Sequence, residues 1–463
     1  MKKPKLAIAG ASGFIGKAAI NRLADDFNIK ALSRKVPANK NSYKDNVHWH
    51  SCDLYNLKEA ENAFKDCDYI LYLIHSMKKG NRLTQSSFDD LDLIIADNVM
   101  RSAKINKIKQ IIYVGGILPE VNLNISKHLK SRNEVEIVLS CSGIPLTTIR
   151  AAIIIGAESS SFQILYRLIK RLRVMITPKW TKSLSQPIDV QDVTEFIFHC
   201  IGNEETFNKT IDVHGSELLS YNELMTKISN ILNLRRIAIT VPFFSLGLSK
   251  FWLHLITGID YFTISPLVDS LKYNLIASNS VLFNKYIPNP VCLNDSLQRA
   301  ISQTKKYEKI KDKNKAHEES KVRTVQRLYL PIGWDAMKLG REYINWLPKI
   351  FFTIIRSKVK NNVVRFSFFN INLLTLEFSQ ERSSKDRQLF YIKGGLLVIK
   401  KNFPHARFEF RISPHEQTAI AAIHDYYPSL PWPIYRIFQA NIHKFVMFLF
   451  NRHLIKTSIK VNV

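Results

Sequence analysis

Three glycines near the start of the chain have the spacing of a loop that holds the phosphates of a dinucleotide. Gly10, Gly13 and Gly16 follow a short apolar run and open an amphipathic one. In such a loop the first glycine allows a tight turn, the second lets the backbone approach a pyrophosphate, and the third lets helix and strand pack closely. The helix N-terminus then offers N–H groups and a positive dipole end to the phosphates. The expected cofactor contacts in this loop are Gly10, Ser12, Gly13, Phe14, Ile15 and Gly16.

The end of the second predicted strand decides between NAD and NADP. Sites that prefer NAD carry an acidic residue there, about 20 residues beyond the glycines. This chain has Ser33 and Arg34 instead. A guanidinium cannot accept a hydrogen bond from a ribose hydroxyl, but it binds a 2′-phosphate bidentately. We therefore expect NADP(H) in preference to NAD(H), with Ser33 and Arg34 as contacts. The alternative is that Arg34 is only a solvated loop residue.

Residues after the later strands complete the expected cofactor site. The side chain of Asp53 is placed to meet the adenine amino group, and His75 lies where the adenosine ribose and pyrophosphate are expected. A packing role for His75 fits the sequence equally well. The further expected contacts are Leu54, Leu73, Ile74, Gly115 and Arg132. No metal site is expected, because His415, His424 and His443 lack the spacing of metal ligands and the five cysteines contain no Cys-x-x-Cys pair.

Short β-rich runs alternate with helical patterns through residues 1–240. Repeated βα units whose strands are apolar without alternation predict a parallel sheet covered by helices on both faces. Right-handed crossovers then give a doubly wound Rossmann fold of the α/β class. Asp189 or Asp192 is expected to cap a later helix of this domain. The predicted strands are Lys5–Ala9, Ile29–Ser33, Val47–His50, Tyr69–Ile74, Gln110–Val114 and Leu146–Ile149. The predicted helices include Ile15–Ala24, Leu57–Phe64, Phe88–Ala103 and Arg132–Ser140.

Six segments within the first 200 residues carry a resemblance to a known superfamily. They are Tyr72–Met77, Tyr113–Ile117, Ser126–Val135, Ile149–Gly156, Val174–Trp180 and Gln186–Ile188. As a set they resemble the short-chain dehydrogenase/reductase superfamily in its atypical and extended branches. In particular, they are similar to bacterial NAD(P)-binding proteins related to the nucleotide-binding accessory subunit of respiratory complex I.

This resemblance implies a catalytic set that the chain lacks in part. Active members of the superfamily use a serine at the end of the fifth strand and a Tyr-x-x-x-Lys pair. Here the serine position is occupied by Gly115 and Gly116, and the tyrosine and lysine positions by His128 and Arg132. His128 is the candidate general acid, because imidazole titrates near neutral pH. Arg132 is the candidate partner of the nicotinamide ribose.

Two functions of different classes fit these residues. One is an NADPH-dependent oxidoreductase that acts on a small or hydrophobic substrate. The other is a non-catalytic NADP(H)-binding protein that senses redox state, supports an assembly or binds lipid. The missing Ser-Tyr-Lys set favours the second function, whereas the glycine loop and Arg34 fit both.

A charged run divides the chain into two expected domains. The Rossmann domain is expected to cover residues 1–304, with a small cap at about 210–300, and residues 305–320 are expected to form a linker. Residues 321–463 predict an α+β domain of antiparallel strands followed by one terminal helix. The predicted strands are Asn362–Phe369, Leu373–Phe378, Leu389–Ile392, Leu396–Lys400, Arg407–Ile412 and Thr418–Asp425.

The second domain resembles the START-like helix-grip module found behind the same Rossmann domain in these bacterial relatives. In that module a curved antiparallel sheet wraps a terminal helix and leaves an apolar cavity, so a lipid, a quinone or another hydrophobic small molecule is the implied ligand. The terminal helix is predicted over Pro433–Asn451. Its apolar residues recur at three- and four-residue spacing and predict one stripe that faces the core. The stripe consists of Ile434, Ile437, Phe438, Ile442, Phe445 and Leu449.

The formal net charge of the chain is +27, and residues 301–463 hold 29 basic against 12 acidic side chains. Either a lysine-biased composition decorates a solvated surface, or the protein makes peripheral contact with an anionic membrane. No nucleic-acid-binding motif accompanies the charge, so no nucleic-acid partner is expected. The N-terminus predicts a strand and not a signal peptide. The expected location is the cytoplasm, with the inner face of the membrane as the alternative.

Overall fold

The computed structural model divides the chain into two compact units. The first unit comprises Met1–Lys78 and Asp92–Lys315, and the second unit comprises Lys79–Leu91 and Ala316–Val463. The structure describes residues 3–38, 40–76, 86–119, 125–241, 246–308, 322–351, 354–399, 406–415, 417–431 and 434–461.

Thirteen strands and eleven helices are described in the first unit, except that the first four residues of α3 belong to the second unit. The strands are β1 Lys5–Ala9, β2 Asn28–Ser33, β3 Val47–Ser51, β4 Tyr69–Tyr72, β5 Gln110–Gly116, β6 Leu146–Ala151, β7 Ile154–Ile155, β8 Val174–Pro178, β9 Leu184–Ser185, β10 Ile188–Asp189, β11 Lys209–Val213, β12 Leu219–Ser220 and β13 Ile237–Val241. The helices are α1 Phe14–Leu23, α2 Leu57–Ala63, α3 Phe88–Ile105, α4 Lys127–Ser140, α5 Ser160–Arg171, α6 Val190–Cys200, α7 Tyr221–Ile231, α8 Leu246–Thr257, α9 Tyr261–Ser270, α10 Val281–Tyr286 and α11 Leu293–Glu308.

Seven of these strands form one parallel sheet in the order β11-β6-β5-β4-β1-β2-β3. The predicted doubly wound α/β fold is confirmed. The strand order reverses between β1 and β4, and in such sheets the ligand crevice lies at the carboxyl ends of the two strands on either side of this point. Apolar side chains on the central strands, among them Ile8, Leu71 and Ile112, are fully buried beneath the helices.

The cap differs from its predicted boundary. Lys209–Val213 is not part of it, because this strand pairs with β6 and forms the edge of the main sheet. A separate apolar core is instead formed by side chains of α5, α7, α8, α9 and α11, including Phe162, Leu224 and Leu297. The cap is therefore formed by a helix that precedes β11 in the chain and by helices that follow it. Of the two candidate helix caps, Asp189 occupies the N-cap of α6 and accepts a hydrogen bond from the backbone N–H of Gln191 at 2.7 Å.

Helix α11 continues through Glu308, so the first residues of the predicted linker are helical. Residues 309–320 of that linker lie outside the described part of the chain.

The second unit is built on one antiparallel sheet of seven strands, in the order β14-β20-β19-β18-β17-β16-β15. Its strands are β14 Val322–Tyr329, β15 Ile355–Lys360, β16 Val363–Phe368, β17 Ile371–Phe378, β18 Arg387–Gly394, β19 Arg407–Ile412 and β20 Thr418–Tyr426. Its described helices are α12 Ala336–Ile350 and α13 Ala440–Val461, the latter preceded by a π-helical turn over Tyr435–Gln439. The predicted antiparallel domain is confirmed.

An aromatic cluster joins both helices of the second unit to its sheet. The ring of Tyr343 on α12 lies 5.4 Å from that of Phe410 on β19 and 5.2 Å from that of Phe450 on α13. Trp346 lies 5.0 Å from Phe450. Such tilted and edge-on ring pairs add to the stabilisation that comes from buried area. These rings occupy the space between the helices and the sheet.

Two predictions for the second unit are wrong. No strand forms over the described part of Leu396–Lys400, where Val398 makes only an isolated bridge with Pro428. The stripe on the terminal helix does not face the core as a whole. Only Leu449 of the six packs against the core, and the buried residues of the helix lie elsewhere. The exposed members of the stripe are Ile434, Ile437, Phe438, Ile442 and Phe445. The buried residues of this segment include Tyr435, Val446, Met447, Phe450 and Leu454.

Within the described residues, no helix is both long and apolar enough to cross a bilayer. In the same part of the chain, no group of three or more His, Cys, Asp or Glu side chains is arranged to hold a metal ion.

Candidate functional site

The glycine loop turns sharply between β1 and α1. Gly10 has φ +95°, a left-handed conformation that L side chains rarely adopt. A Cβ at this position would also lie 3.3 Å from the backbone of Leu73 at the end of β4. The N–H groups of Gly10 and Ala11 both donate to the carbonyl of Leu32, at 3.3 and 3.1 Å. The turn is therefore fixed between the ends of β2 and β4.

Helix α1 begins against this turn without room for a side chain. A Cβ on Gly16 would lie only 2.4 Å from the carbonyl oxygen of Gly10 and 2.7 Å from the Cα of Ala11. Gly13 is the N-cap residue of α1 and has no side chain with which to cap the helix, whereas Ser126 caps α4 with its hydroxyl. The backbone N–H groups in the first turn of α1 therefore lie beside glycines that have no side chains to block them. This arrangement fits the binding of a pyrophosphate.

The other loop residues predicted to contact a cofactor have different surroundings. Ser12 and Gly13 are exposed, whereas Phe14 and Ile15 are half-buried. The Phe14 ring packs against Gly156, where a Cβ would lie 2.3 Å from the ring. Ile15 packs against the core of the sheet. Phe14 and Ile15 therefore have only their backbone N–H groups to offer a phosphate.

Arg34 follows directly on the end of β2 and is exposed. Its carbonyl accepts a hydrogen bond from the hydroxyl of Ser51 on β3 at 3.2 Å, which holds the backbone of this turn in place. Ser33 is buried, and its hydroxyl donates to the carbonyl of Lys35 at 2.5 Å. Leu32, two residues before Arg34, holds the glycine turn through its carbonyl. The side chain of Ser33, by contrast, is hydrogen-bonded within its own turn.

Asp53 and Leu54 lie in the turn between β3 and α2. The Asp53 carboxylate accepts from the backbone N–H of Tyr55 at 3.2 Å. Leu54 is buried, and its carbonyl accepts from the Asn98 side chain at 2.9 Å. Both residues are at the carboxyl end of the sheet, on the side of β3.

Past the end of β4, three side chains form a hydrogen-bonded line. Asp92 Oδ2 on α3 lies 2.9 Å from His75 Nδ1, and His75 Nε2 lies 3.0 Å from His128 Nδ1 on α4. The backbone N–H of Ser76 donates to Asp92 Oδ1 at 2.8 Å, and the Ser131 hydroxyl donates to Oδ2 at 3.1 Å. Asp92 is 1% exposed. The structure thus brings together His75 and His128, which are 53 positions apart in the chain.

The charges around this line favour an ionised aspartate and neutral histidines. Burial opposes ionisation of Asp92, but His75 and Arg132 hold the pKa of this carboxyl below its usual value. Burial lowers the pKa of His75, and Arg132 adds to that effect. Burial also lowers the pKa of His128 well below its usual value, and the neighbouring His75 and Arg132 add to the shift.

These protonation states set the tautomers. Ionised Asp92 can only accept, so His75 donates from Nδ1 and its Nε2 carries a lone pair. His75 Nε2 then accepts a hydrogen bond from the Nδ1–H of His128, and the lone pair of His128 is left at Nε2. His128 Nε2 is therefore a base held in place by a buried carboxylate through a second imidazole.

Arg132 lies one turn beyond His128 on α4 and has an unsatisfied polar atom. Its Nε is buried and has no hydrogen-bond partner among the described residues. Its backbone carbonyl accepts from the Tyr113 hydroxyl at 3.1 Å. A buried donor without an acceptor is costly, and a ligand oxygen removes that cost. Gly115, at the end of β5, packs against the Tyr113 ring.

Neither buried tyrosine beside this line fits the usual proton-donor role. Burial raises the pKa of Tyr113 to about 12 and that of Tyr72 well above its usual range. A catalytic tyrosine needs the opposite shift, because it must ionise near neutral pH. The candidate proton carrier among the described side chains is therefore His128.

Sequence reasoning missed Asp92 and Ser131. Asp92 stands among apolar residues that recur at helical spacing along α3, and an acid at a core position is a signal for a buried partner. Ser131 carried no such signal, because a serine in a helix is usually solvated. The partner of Asp92 depends on how α3 packs against the end of β4, which local patterns do not encode.

Residues 10–204 match a family model described as NAD(P)H-binding. The chain therefore contains an NAD(P)-binding domain of the Rossmann type. This match covers the glycine loop, Arg34, His75, Asp92 and His128.

Known proteins resemble parts of the chain. It is 37% identical over 114 residues to the auxiliary protein GraX of Staphylococcus aureus (strain NCTC 8325 / PS 47); the matched stretch is 25% of this chain and 37% of that protein. A nucleoside-diphosphate-sugar epimerase from Staphylococcus aureus superposes with a TM-score of 0.51 at 19% identity, over 64% of this chain and 99% of the epimerase. Triphenylmethane reductase of Citrobacter sp., solved with NADP(H), gives a TM-score of 0.51 at 16% identity with the same coverage. These structural likenesses concern the fold.

Proposed function

We propose that this chain is an NADP(H)-dependent oxidoreductase in which His128 handles the proton. The observation that carries the proposal is the line from Asp92 through His75 to His128 at the carboxyl ends of β4 and β5. A bare binding domain has no need of a buried carboxylate that orients two imidazoles. Perturbed, mutually bonded titratable groups in the crevice of such a sheet are typical of catalytic sites.

The cofactor is held by groups along one edge of the sheet. The N–H groups of the glycine loop and of the first turn of α1 bind the pyrophosphate, and Arg34 binds the 2′-phosphate that distinguishes NADP from NAD. Arg132, through its unsatisfied Nε, binds a ribose hydroxyl or the substrate oxygen. When bound, the nicotinamide accepts or supplies a hydride.

His128 moves the accompanying proton. During oxidation of an alcohol, the substrate hydroxyl transfers its proton to His128 Nε2 as the hydride leaves the carbon. The Asp92 carboxylate then stabilises the positive charge through His75. Burial keeps His128 neutral near pH 7, so a lone pair is free at Nε2 to receive the proton. In the reverse direction the rate should rise as the pH falls, since the protonated imidazole becomes more abundant.

The reaction is tested by turnover in both directions. We expect purified protein to reduce NADP⁺ with a member of an alcohol panel, and to oxidise NADPH with the matching aldehyde, ketone or quinone. Nicotinamide absorbance reports both. Tight NADPH binding without turnover across these panels would count against the oxidoreductase.

Replacing Arg34 with alanine should weaken NADPH binding far more than NADH binding. A charge-assisted bidentate contact contributes about 1.5–3 kcal/mol, so NADPH affinity should fall about 10- to 150-fold. NADH has no 2′-phosphate, and its affinity should change little. Calorimetric titration of the cofactor-free protein with both dinucleotides measures the two effects.

Lys35→Ala is the matched control for this titration, because Lys35 is the adjacent exposed cation. It should reduce NADPH affinity less than Arg34→Ala does. Equal losses of NADPH and NADH affinity in Arg34→Ala would show that Arg34 does not recognise the 2′-phosphate.

A second candidate function is that of a non-catalytic NADP(H)-responsive auxiliary protein. GraX is named an auxiliary protein and is 37% identical to part of this chain. Gly115 and Gly116, where a catalytic serine would stand, point the same way. Dinucleotide binding without turnover would favour this role. The START-like ligand of the second unit and the cytoplasmic location remain predictions.

A further inference from the structure

The terminal helix α13 and the turn before it carry apolar side chains on their outer side as well as on their buried side. We define the outer face by eight exposed residues, each with between 40% and 61% of its surface accessible. They are Ile434, Ile437, Phe438, Ile442, Phe445, Phe448, Ile455 and Ile459. A surface helix normally carries polar residues on this side, and one that is apolar all round is normally covered.

The buried side fixes the orientation of the helix. Val446, Phe450 and Leu454, at four-residue spacing, pack into the core of the second unit. The outer face therefore points away from the sheet along the whole of α13, which has 22 residues and a length of about 33 Å. Such a helix can lie flat on a surface over its full length.

A second exposed apolar segment adjoins the start of this helix. Leu396 and Ile399 are 61% and 44% exposed. Their segment is tied to the helix through Tyr426, whose hydroxyl donates to the carbonyl of Leu397 and accepts from the side chain of Gln439. These two side chains enlarge the apolar surface at one end of the outer face.

All Lys, Arg, Asp and Glu residues of the C-terminal segment that carries this face are basic ones. Residues 426–463 contain no aspartate or glutamate. Lys444, Arg452 and Lys456 are exposed along α13. The Arg452 guanidinium lies 6.0 Å from the centre of the Phe448 ring, so cationic and apolar groups are interleaved.

We propose that the outer face of α13 binds the surface of an anionic lipid membrane. Apolar side chains that alternate with lysine and arginine on a helix are typical of helices that lie in the headgroup region, with apolar groups inserted about 5–10 Å deep. Each basic residue near an anionic leaflet adds to the attraction. A second copy of this chain is a poorer occupant, because a two-fold interface through this face would place the same cations against each other.

Vesicle co-sedimentation tests this proposal with the full chain. Vesicles of equal parts phosphatidylglycerol and phosphatidylcholine are compared with vesicles of phosphatidylcholine alone, at low and high salt. We expect at least tenfold stronger binding to the anionic vesicles at low salt, and a large loss at high salt, because salt screens the lysine and arginine charges.

Two multiple variants separate the apolar and the charged contributions. Phe438→Gln/Phe445→Gln/Phe448→Gln should bind anionic vesicles at least tenfold more weakly at either salt concentration. Lys444→Gln/Arg452→Gln/Lys456→Gln should lose most of the preference for anionic lipid. Ile105→Gln/Val281→Gln, which changes two exposed apolar residues of the first unit, is the matched control and should bind as the unchanged protein does.

A probe on the face itself keeps the test decisive if a triple variant folds poorly. Ile442→Cys, labelled with an environment-sensitive NBD group in a Cys292→Ser background, should brighten with anionic vesicles and stay dim with neutral ones. Binding that is equal for both lipids, or unchanged in the aromatic triple variant, would overturn the proposal. The proposal would also be overturned if light scattering showed that the unchanged protein is a dimer and that the aromatic triple variant is a monomer. In that case a second copy of the chain covers the outer face.

Discussion

Changing His128 to glutamine is expected to lower turnover about 100- to 10,000-fold, the usual contribution of a positioned general acid or base. Dinucleotide affinity should change little, because His128 contacts His75 and not the glycine loop. Glutamine retains an N–H that can donate to His75 but has no basic nitrogen. The loss should therefore appear in kcat, measured by nicotinamide absorbance in the alcohol-oxidising direction.

The pH profile distinguishes a proton carrier from a packing residue. His128 has a pKa held well below its usual value by burial. The basic form that accepts the proton is therefore present at neutral pH and is lost only as the pH falls through that lowered pKa. Alcohol oxidation by the unchanged protein should therefore stay level from pH 8 down through the ordinary histidine pKa of about 6.5, and decline only at lower pH. His128→Gln should show no such decline.

Asp92→Asn tests the other end of the line. An asparagine can donate to His75 Nδ1 and so reverse the tautomers of both imidazoles, which removes the lone pair from His128 Nε2. A loss of kcat without a loss of dinucleotide affinity is expected. His199→Gln is the matched control, because His199 is a half-exposed histidine of the same unit that pairs with Glu195 on α6 and not with Asp92, His75 or His128. Equal turnover in His128→Gln and His199→Gln would rule out His128 as the group that carries the proton.

The Rossmann half of the chain could be predicted because its signals are local. A glycine loop between an apolar run and an amphipathic one specifies a strand, a turn and a helix within about 20 residues. The winding of the sheet then follows from right-handed crossovers. In the line from Asp92 to His128, the only local signal is the acidic residue at a core position of α3, since the partners of Asp92 depend on tertiary packing that joins three elements. The sequence allowed His75 either a place at the cofactor or a packing role, and neither alternative included its hydrogen bond with His128.

The second unit was harder to predict because its elements carry weak or ambiguous patterns. Strand β15 lies at the edge of its sheet and is mostly exposed, so it has no apolar run to mark it. Helix α12 contains Gly340 and Pro348, which both oppose helix formation. Helix α13 is apolar on two sides, so periodicity alone could not tell which side packs. In this unit, packing and not local propensity settles the structure.

Changing Glu409 to glutamine should destabilise the second unit by about 3–5 kcal/mol, the usual cost of removing one partner from a buried ion pair. Glu409 is fully buried on β19. Its carboxylate lies 2.7 Å from Arg387 Nε, 2.7 Å from Arg411 Nη2 and 2.8 Å from His424 Nε2. Glutamine preserves the shape but leaves two buried guanidinium groups without this counter-charge. Urea unfolding followed by tryptophan fluorescence reports the effect, since Trp334 and Trp346 lie in this unit.

The sign of the pH dependence and a matched control make this prediction specific. Burial opposes ionisation of Glu409, but Arg387, Arg411 and His424 hold its pKa well below the usual value. A carboxyl with a lowered folded-state pKa stabilises the protein above its unfolded-state pKa of about 4.3, and this stabilisation is lost as the pH falls through the folded-state value. The loss of stability in Glu409→Gln should thus be complete from pH 6 to 8.

Glu377→Gln, which breaks an exposed pair with Lys393 in the same sheet, should cost less than about 1 kcal/mol. Similar urea midpoints for the two variants would mean that the buried charges of this sheet are not held by Glu409.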